Sequence, residues 1–227
     1  MSSPTSLPPG RSLTGSAEDA GQASPSLNAR ARKRSETRER LFEMALREFR
    51  EVGLAAAQID RIAKAAGVAR GTFYFHFATK DDVLVELARR INARIARRVA
   101  VLGESKPTLR ELLLRVNDAC MDEHSRVGEA ELLADMLSLY VRRPMDVQDP
   151  THNVPSLADE LTRHLRAAAE RGEMRTSLPP EQVAIVFMSS LFGIYTRLPQ
   201  GEALREACAD FIALLVEGLV PPAAGRD

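Results

Sequence analysis

The side chains with the most distinctive chemistry in this chain stand together between positions 70 and 76. Arg70 can donate two hydrogen bonds to the edge of a guanine, and Thr72 can offer a hydroxyl or a methyl group to a base. Tyr74 can donate its phenolic hydroxyl to a phosphate oxygen. Three neighbours complete the candidate contact set: Gly71, Phe75 and His76. If these side chains share an exposed face, the set suits binding in a nucleic-acid groove.

Two short helices joined by a tight turn are needed to position these side chains. Gly67 can adopt a positive φ at little steric cost, so the chain can turn sharply there. Val68 can then fill the gap between the two helices. The pattern predicts a helix-turn-helix, although an ordinary helical corner remains the alternative. Four apolar side chains have the spacing to face one small core: Ile62, Ala63, Phe73 and Phe77.

Helical periodicity continues on both sides of this segment and predicts an all-α fold. Upstream, an apolar stripe over residues 42–49 predicts a helix that Ser35 can cap and Gly53 can end. Downstream, Thr79 and Asp82 form a capping-box pattern that opens a long helix extending to Leu102. We expect further helices near 107–125, 129–143, 156–171, 180–198 and 202–219.

Charge is distributed unevenly along a chain that is neutral overall, with 31 basic and 31 acidic side chains. Residues 28–101 contain 17 basic and 9 acidic side chains, whereas residues 102–227 contain 13 and 20. This asymmetry favours binding of a polyanion by the basic part, and a pair of solvated helical faces is the alternative. A basic cluster precedes the first predicted helix: Arg30, Arg32, Lys33 and Arg34. It can form an arm that lies along phosphates or enters the minor groove, and a solvated start of the domain is the alternative.

Several classes of protein are disfavoured by composition. Two cysteines, Cys120 and Cys208, are too few for a disulfide framework or a four-cysteine zinc site, and the four histidines are scattered, so we expect no metal and no cofactor. The sequence contains neither a nucleophile elbow nor a phosphate-binding glycine loop. No apolar run reaches the ~20 residues of a membrane span, and no signal peptide is recognisable, so we expect a soluble, cytoplasmic protein.

Residues 1–27 are rich in Pro, Ser and Gly and predict a disordered leader.

The motif around the predicted turn is specific enough to indicate a family. This motif resembles the DNA-binding signature of TetR-family transcriptional regulators. It consists of Ile62-Ala63, Ala66-Gly67-Val68, the run from Gly71 to Phe77, and Lys80. The resemblance covers about residues 35–85. It implies an all-α protein with a three-helix DNA-binding domain, a long fourth helix and a larger helical domain that binds a small ligand and dimerises. Such regulators usually repress transcription, and ligand binding usually releases the DNA.

The resemblance also implies roles for individual residues. Tyr74 and His76 stand where the family contacts the phosphate backbone. Lys80 matches its lysine at the start of the fourth helix, where we expect it to contact phosphate with help from the helix dipole. Arg70 and Thr72 lie where the family reads bases. We expect domain boundaries at residues 1–33 for a leader with a basic end, 34–80 for the DNA-binding domain and 81–227 for the effector-binding and dimerisation domain.

Two positions depart from the family pattern. Gln58 opens the second helix where threonine is common, and it can still donate to a phosphate. Ala69 precedes the third helix where serine or threonine is frequent, and it has no hydroxyl to cap that helix. Losing such a cap costs about 1 kcal/mol of local stability.

The C-terminal part carries weaker signals, which the resemblance helps to interpret. Asn117, Met121 and His124 share one face of a predicted helix and can line a pocket, although ordinary core packing is the alternative. The full set of candidate ligand-binding residues is Asn117, Met121, Met136, Tyr140 and Phe187. Candidate dimerisation residues, on the last two helices, are Val186, Ser190, Gly193, Phe211 and Leu215.

The leading hypothesis is therefore a homodimeric regulator, most simply a repressor, that binds a palindromic double-stranded DNA operator and responds to a small-molecule effector, with no membrane partner. Two alternatives remain open from the sequence. One is a helical interaction protein of the same fold that has lost DNA binding. The other, more remote, is a helical enzyme.

Overall fold

The computed structural model describes residues 25–102, 106–127, 132, 134–136, 138–139 and 156–219. Within these ranges the regular structure is entirely helical, which confirms the predicted all-α fold. Residues 132, 134–136 and 138–139 are helical as well. The bounded helices are α1 (Pro25–Ala56), α2 (Ile59–Ala65), α3 (Arg70–His76), α4 (Lys80–Ala100), α5 (Leu109–Val127), α6 (Leu157–Glu170), α7 (Pro180–Arg197) and α8 (Glu202–Leu219).

Helix α1 begins earlier than the sequence pattern predicts. It starts at Pro25, so Ser35 lies inside the helix and the prediction that Ser35 caps it is wrong. Residues 25–33, assigned to a disordered leader, are helical because they include several alanine, arginine and lysine residues, which favour helix intrinsically. Near the other end, Gly53 leaves helical geometry at φ 77° and ψ 159°, which interrupts the regular helix where predicted.

The chain divides into two compact units, Met1–Glu39 and Arg40–Asp227. The second unit contains one continuous apolar core that extends from Leu41 to Leu219. The predicted stripe of α1 contributes four buried side chains to it: Phe42, Ala45, Leu46 and Phe49.

Helix α4 begins with the predicted capping box. Thr79 accepts a hydrogen bond from the backbone N–H of Asp82 at 3.3 Å, and the Asp82 carboxylate accepts from the backbone N–H of Thr79 at 2.8 Å. The apolar side of α4 is buried from Leu84 to Val99, while Leu102 beyond the helix is only partly buried. The helix packs against α5 and α6, and α7 in turn packs against α6 and α8.

The remaining helices lie within a few residues of their predicted positions. Helix α6 opens with a second capping box between Ser156 and Asp159, and α7 has Pro180 at its first position, where a missing N–H is harmless. The helix predicted at 129–143 falls largely outside the described residues. None of the helices in the described ranges combines the length and apolarity that a membrane span requires.

Candidate functional site

The turn between α2 and α3 has the predicted geometry. Gly67 adopts φ 66°, a conformation that other residues rarely accept. The backbone N–H of Val68 donates to the carbonyl of Ala63 at 3.0 Å, and its side chain is half-buried against the core. The two helices are therefore held in a fixed relation by one glycine and one apolar side chain.

Helix α3 separates its aromatic side chains onto two faces. Phe73 and Phe77 are buried at 0% and 2% exposure, as predicted for core positions. Tyr74 and Phe75 point outward at 44% and 64% exposure. The other candidate contacts are exposed or half-buried on the same short helix: Arg70, Gly71, Thr72 and His76. The exposed side of α3 thus combines cationic, hydroxyl and aromatic groups.

The Arg70 guanidinium is held by two partners on the exposed surface. It lies 2.9 Å from a carboxylate oxygen of Asp60 on α2 and donates to the Tyr74 hydroxyl at 3.4 Å. It also lies 5.8 Å from the centre of the Tyr74 ring. Because exposed ion pairs contribute little free energy, the guanidinium can leave Asp60 for a stronger partner at small cost.

Lys80, the first residue of α4, joins that helix to the end of α1. Its ammonium group donates to the backbone carbonyls of Leu54 at 2.6 Å, Ala55 at 3.1 Å and Ala57 at 3.0 Å. An ammonium group has three protons, so this arrangement uses all of its donors. In this geometry Lys80 positions the segment that leads into α2, and its predicted contact with phosphate stays a prediction.

A buried carboxylate holds the same segment from the other side. Glu48 of α1 is only 6% exposed, and its Oε1 accepts from the backbone N–H of Gln58 at 3.3 Å. Its other oxygen lies 3.4 Å from Arg61 of α2. Gln58 is the N-cap of α2 and keeps its side chain exposed, while Ala69 at the start of α3 provides no side-chain cap, as predicted.

The basic cluster before residue 40 lies on helix α1 rather than on an extended arm. Arg30, Arg34 and Arg38 follow the spacing of one helical face and border a shallow groove. On another face, Arg32 lies 3.4 Å from Glu36 and is partly neutralised. A role for this cluster in holding phosphates stays a prediction.

In the C-terminal part, a cavity of about 760 Å³ lies among α5, α7 and α8. Asn117 and Met121, two of the predicted ligand-binding residues, line it. Met136 and Phe187 are buried in the core and do not border this cavity, and Tyr140 lies outside the described residues. For Phe187 the reason is its stacking on Phe211, with ring centres 6.2 Å apart.

Tyr195 of α7 also lines the cavity and was missed in the sequence. Its hydroxyl donates to Asn117 Oδ1 at 2.8 Å, across 78 positions of sequence. No local pattern signals this pairing, because it depends on how α7 packs against α5. His124, which the periodicity of α5 placed beside Asn117 and Met121, lines the same cavity.

The predicted dimerisation residues lie on the outward faces of α7 and α8. Val186 is 45% exposed, Gly193 is exposed, and Ser190, Phe211 and Leu215 are half-buried. Two further apolar side chains on these helices, Ile185 and Leu214, are strongly exposed. The two helices therefore present apolar surface that the described part of the chain does not cover.

Among the described residues, no cluster of histidine, cysteine, aspartate or glutamate could hold a metal ion. The fold and the exposed face of α3 define a helix-turn-helix DNA-binding protein with an additional helical domain. Comparison with known proteins gives the family: residues 41–87 match the model described as "Bacterial regulatory proteins, tetR family". The chain belongs to the TetR family, which confirms the resemblance and makes it a transcriptional regulator rather than an enzyme.

Individual relatives support this assignment over most of the chain. The regulator TtgR of Pseudomonas putida is 30% identical over 174 residues, covering 71% of this chain and 80% of TtgR. The regulator AcrR of Shigella flexneri is 27% identical over 191 residues, covering 80% and 88% of the two chains. The crystal structure of Thermus thermophilus FadR with lauroyl-CoA is similar, with a TM-score of 0.68, 25% identity and coverage of 84% of this chain and 98% of FadR.

Proposed function

We propose that this chain is a dimeric repressor that binds a palindromic operator through α3 and is released from it by a small molecule. The observation that supports this most directly is the partition of aromatic residues on α3. Phe73 and Phe77 are buried, while Tyr74 and Phe75 stay in solvent beside Arg70. Exposed aromatic side chains next to a cation are what a groove-binding helix needs.

The proposed contacts divide into base-reading, backbone-binding and positioning residues. Arg70 and Thr72 read bases, with the Arg70 guanidinium exchanging Asp60 for a guanine edge. Gly71 allows close approach of the backbone. Lys80 acts by holding the end of α1 and adds positive charge near the phosphates. Gln58, Tyr74 and His76 contact phosphates, and Phe75 contacts a thymine methyl group.

Residues 34–80 form the proposed DNA-binding domain, and residues 81–227 form the effector-binding and dimerisation domain. Coupling between them runs through α4. Near its C-terminal end, Arg94 lies 2.6 Å from Glu123 and Arg98 lies 2.8 Å from Asp122, both on α5. Because Asp122 also lines the cavity, a ligand that shifts α5 displaces α4. Movement of α4 then shifts its first residue, Lys80, and with it the end of α1.

Dimerisation through α7 and α8 accounts for specificity. One short recognition helix contacts few base pairs, so two copies related by a two-fold axis are needed to read a palindrome. We infer a cytoplasmic location, because a repressor must reach chromosomal DNA.

The test is binding of labelled DNA from upstream of the gene, followed by fluorescence anisotropy. Wild-type protein should bind one fragment preferentially. Tyr74→Ala should weaken binding to all fragments, and Arg70→Ala should lower the preference for one base pair by about 1–3 kcal/mol. Arg110→Ala, which removes an exposed arginine on α5, is the matched control and should behave as wild type. Equal binding by wild type and Tyr74→Ala on every fragment would contradict the proposal.

A further inference from the structure

The cavity among α5, α7 and α8 has a buried polar end, and the rest of its lining combines apolar side chains with polar and charged ones. Its volume of about 760 Å³ lies within the range of small-molecule sites. Apolar side chains contribute much of the lining, including Leu114, Met121 and Leu204. The polar end is formed by Asn117, His124 and Tyr195, each at most 7% exposed.

Two groups at the polar end are incompletely hydrogen-bonded. Tyr195 donates to Asn117 Oδ1, but in the described part of the chain Asn117 Nδ2 has only the thioether sulfur of Met121, at 3.5 Å. A thioether is a weak acceptor. His124 Nδ1 is buried and has no hydrogen-bond partner among the described residues. Buried polar groups are nearly always hydrogen-bonded in proteins, so both atoms are suited to bind a polar group that enters the cavity.

The polar end is also uncharged. Burial lowers the pKa of His124 to about 4, so its imidazole is neutral near pH 7. Burial also raises the pKa of Tyr195, so its phenol stays protonated. A carboxylate or phosphate placed here would lose its hydration and find no cation, which is strongly unfavourable.

The charged side chains that line the rest of the cavity do not change this conclusion. Asp118, Asp122 and Arg205 border it, and Asp122 is already paired with Arg98 at 2.8 Å. Two acidic groups and one basic group give this lining a net negative charge, which disfavours the phosphates of a molecule such as the lauroyl-CoA bound by Thermus thermophilus FadR.

We propose that this cavity binds an uncharged, largely apolar molecule that carries a hydroxyl or similar hydrogen-bonding group, which Asn117 and His124 recognise. The ligand's oxygen accepts a hydrogen bond from Asn117 Nδ2, and its hydroxyl group donates a hydrogen bond to His124 Nδ1. This inference rests on the proposed function for its regulatory meaning, but binding itself can be measured without DNA.

The experiment uses four probes with one ring system and different head groups: naphthalene, 2-naphthol, 2-naphthoate and 2-naphthylmethylammonium. Isothermal titration calorimetry on the full chain at pH 7 should show 2-naphthol binding at least tenfold more tightly than each of the other three. Tighter binding of the anion or the cation, equal binding of naphthalene, or no binding of any probe would overturn the proposal.

Variants test whether Asn117 and His124 cause the preference for 2-naphthol. Asn117→Leu and His124→Phe should each reduce the tenfold advantage of 2-naphthol while retaining binding of naphthalene, and His124→Gln should restore part of it. His164→Phe is the matched control, since His164 is the other buried histidine in the described ranges and contacts the carbonyl of Val99 instead. Circular dichroism checks that each variant is folded. A tenfold advantage that survives in folded Asn117→Leu and His124→Phe would overturn the assignment.

A separate DNA-binding measurement distinguishes this inference from the proposed function. If 2-naphthol binds as expected but does not release DNA, the cavity's ligand class is supported and release by this ligand is contradicted. If the protein binds operator DNA but no probe, the proposed function survives and the cavity inference fails.

Discussion

His124 illustrates at the residue scale how burial alone sets the chemistry of a side chain. It is 6% exposed, and the loss of hydration lowers its pKa from 6.5 to about 4, which outweighs the opposing effect of the Glu123 charge. The folded protein therefore holds this histidine neutral at pH values where the unfolded chain would protonate it. A neutral imidazole is also what the cavity needs in order to accept a hydrogen bond from a ligand hydroxyl.

A pH dependence of stability follows from this shift. Between pH 6.5 and pH 4 the unfolded chain binds more protons at His124, so this contribution is complete above pH 6.5 and is lost as pH falls toward 4. When the pH falls from 7.5 to 5, we expect the wild type to lose about 2 kcal/mol more of its free energy of unfolding than His124→Phe does. Urea unfolding followed by circular dichroism at the two pH values measures this difference.

His164 does not confound the comparison, although burial lowers its pKa too. It is present in both proteins, so its contribution cancels when the two pH dependences are subtracted. An identical pH dependence in wild type and variant would show that His124 titrates normally in the folded protein.

At the scale of helices, Lys80 connects the start of α4 with the end of α1. A helix ends with carbonyl groups that lack intrahelical partners, and the Lys80 ammonium satisfies three carbonyls in this region. A lysine is unfavourable at the N-terminus of its own helix, but Asp81 and Asp82 in the same turn offset that charge. The position of α2 therefore depends on a residue that belongs to α4.

Lys80→Met tests this role, because methionine retains much of the chain length but donates no hydrogen bond. We expect it to lower the free energy of unfolding by about 2 kcal/mol and to weaken binding to all DNA sequences alike. Lys64→Met, which changes an exposed lysine on α2, should leave stability nearly unchanged. Urea unfolding and DNA binding at several salt concentrations provide both measurements. If the slope of the logarithm of the DNA-binding constant against the logarithm of salt concentration is about one unit smaller in the variant, Lys80 contacts a phosphate instead.

At the scale of the whole molecule, the apolar surface of α7 and α8 requires a partner. Leu214 is 71% exposed and Ile185 is 62% exposed, and both lie on the two helices that we propose for dimerisation. Such surface is most simply covered by the same surface of a second copy, as in a two-fold interface.

We expect Leu214→Asp to convert the dimer to a monomer, because it places a charge in an apolar interface. Affinity for a palindromic operator should then fall by roughly 100-fold or more, since the two DNA-binding domains no longer act together. Leu178→Asp, at an exposed leucine between α6 and α7, is the matched control and should stay dimeric. Analytical ultracentrifugation and anisotropy measure the two properties. A dimer with unchanged affinity in Leu214→Asp would exclude this face as the interface.

The sequence alone determined the features that depend on neighbouring residues. Helical period placed Phe73 and Phe77 inside and Tyr74 outside, and Thr79 with Asp82 predicted the start of α4, because these arrangements are decided within one or two turns of helix. The start of α1 was predicted wrongly, since a plausible cap at Ser35 was overridden by the helix propensity of the residues before it.

Only the tertiary structure decided which distant groups meet. The Lys80 ammonium binds carbonyls 23 to 26 positions away, and the Tyr195 hydroxyl binds Asn117 across 78 positions. Such pairings have no local signal, because they depend on how whole helices pack. For the same reason the periodicity of α5 could bring Asn117, Met121 and His124 onto one face, but could not show that a cavity lies in front of it.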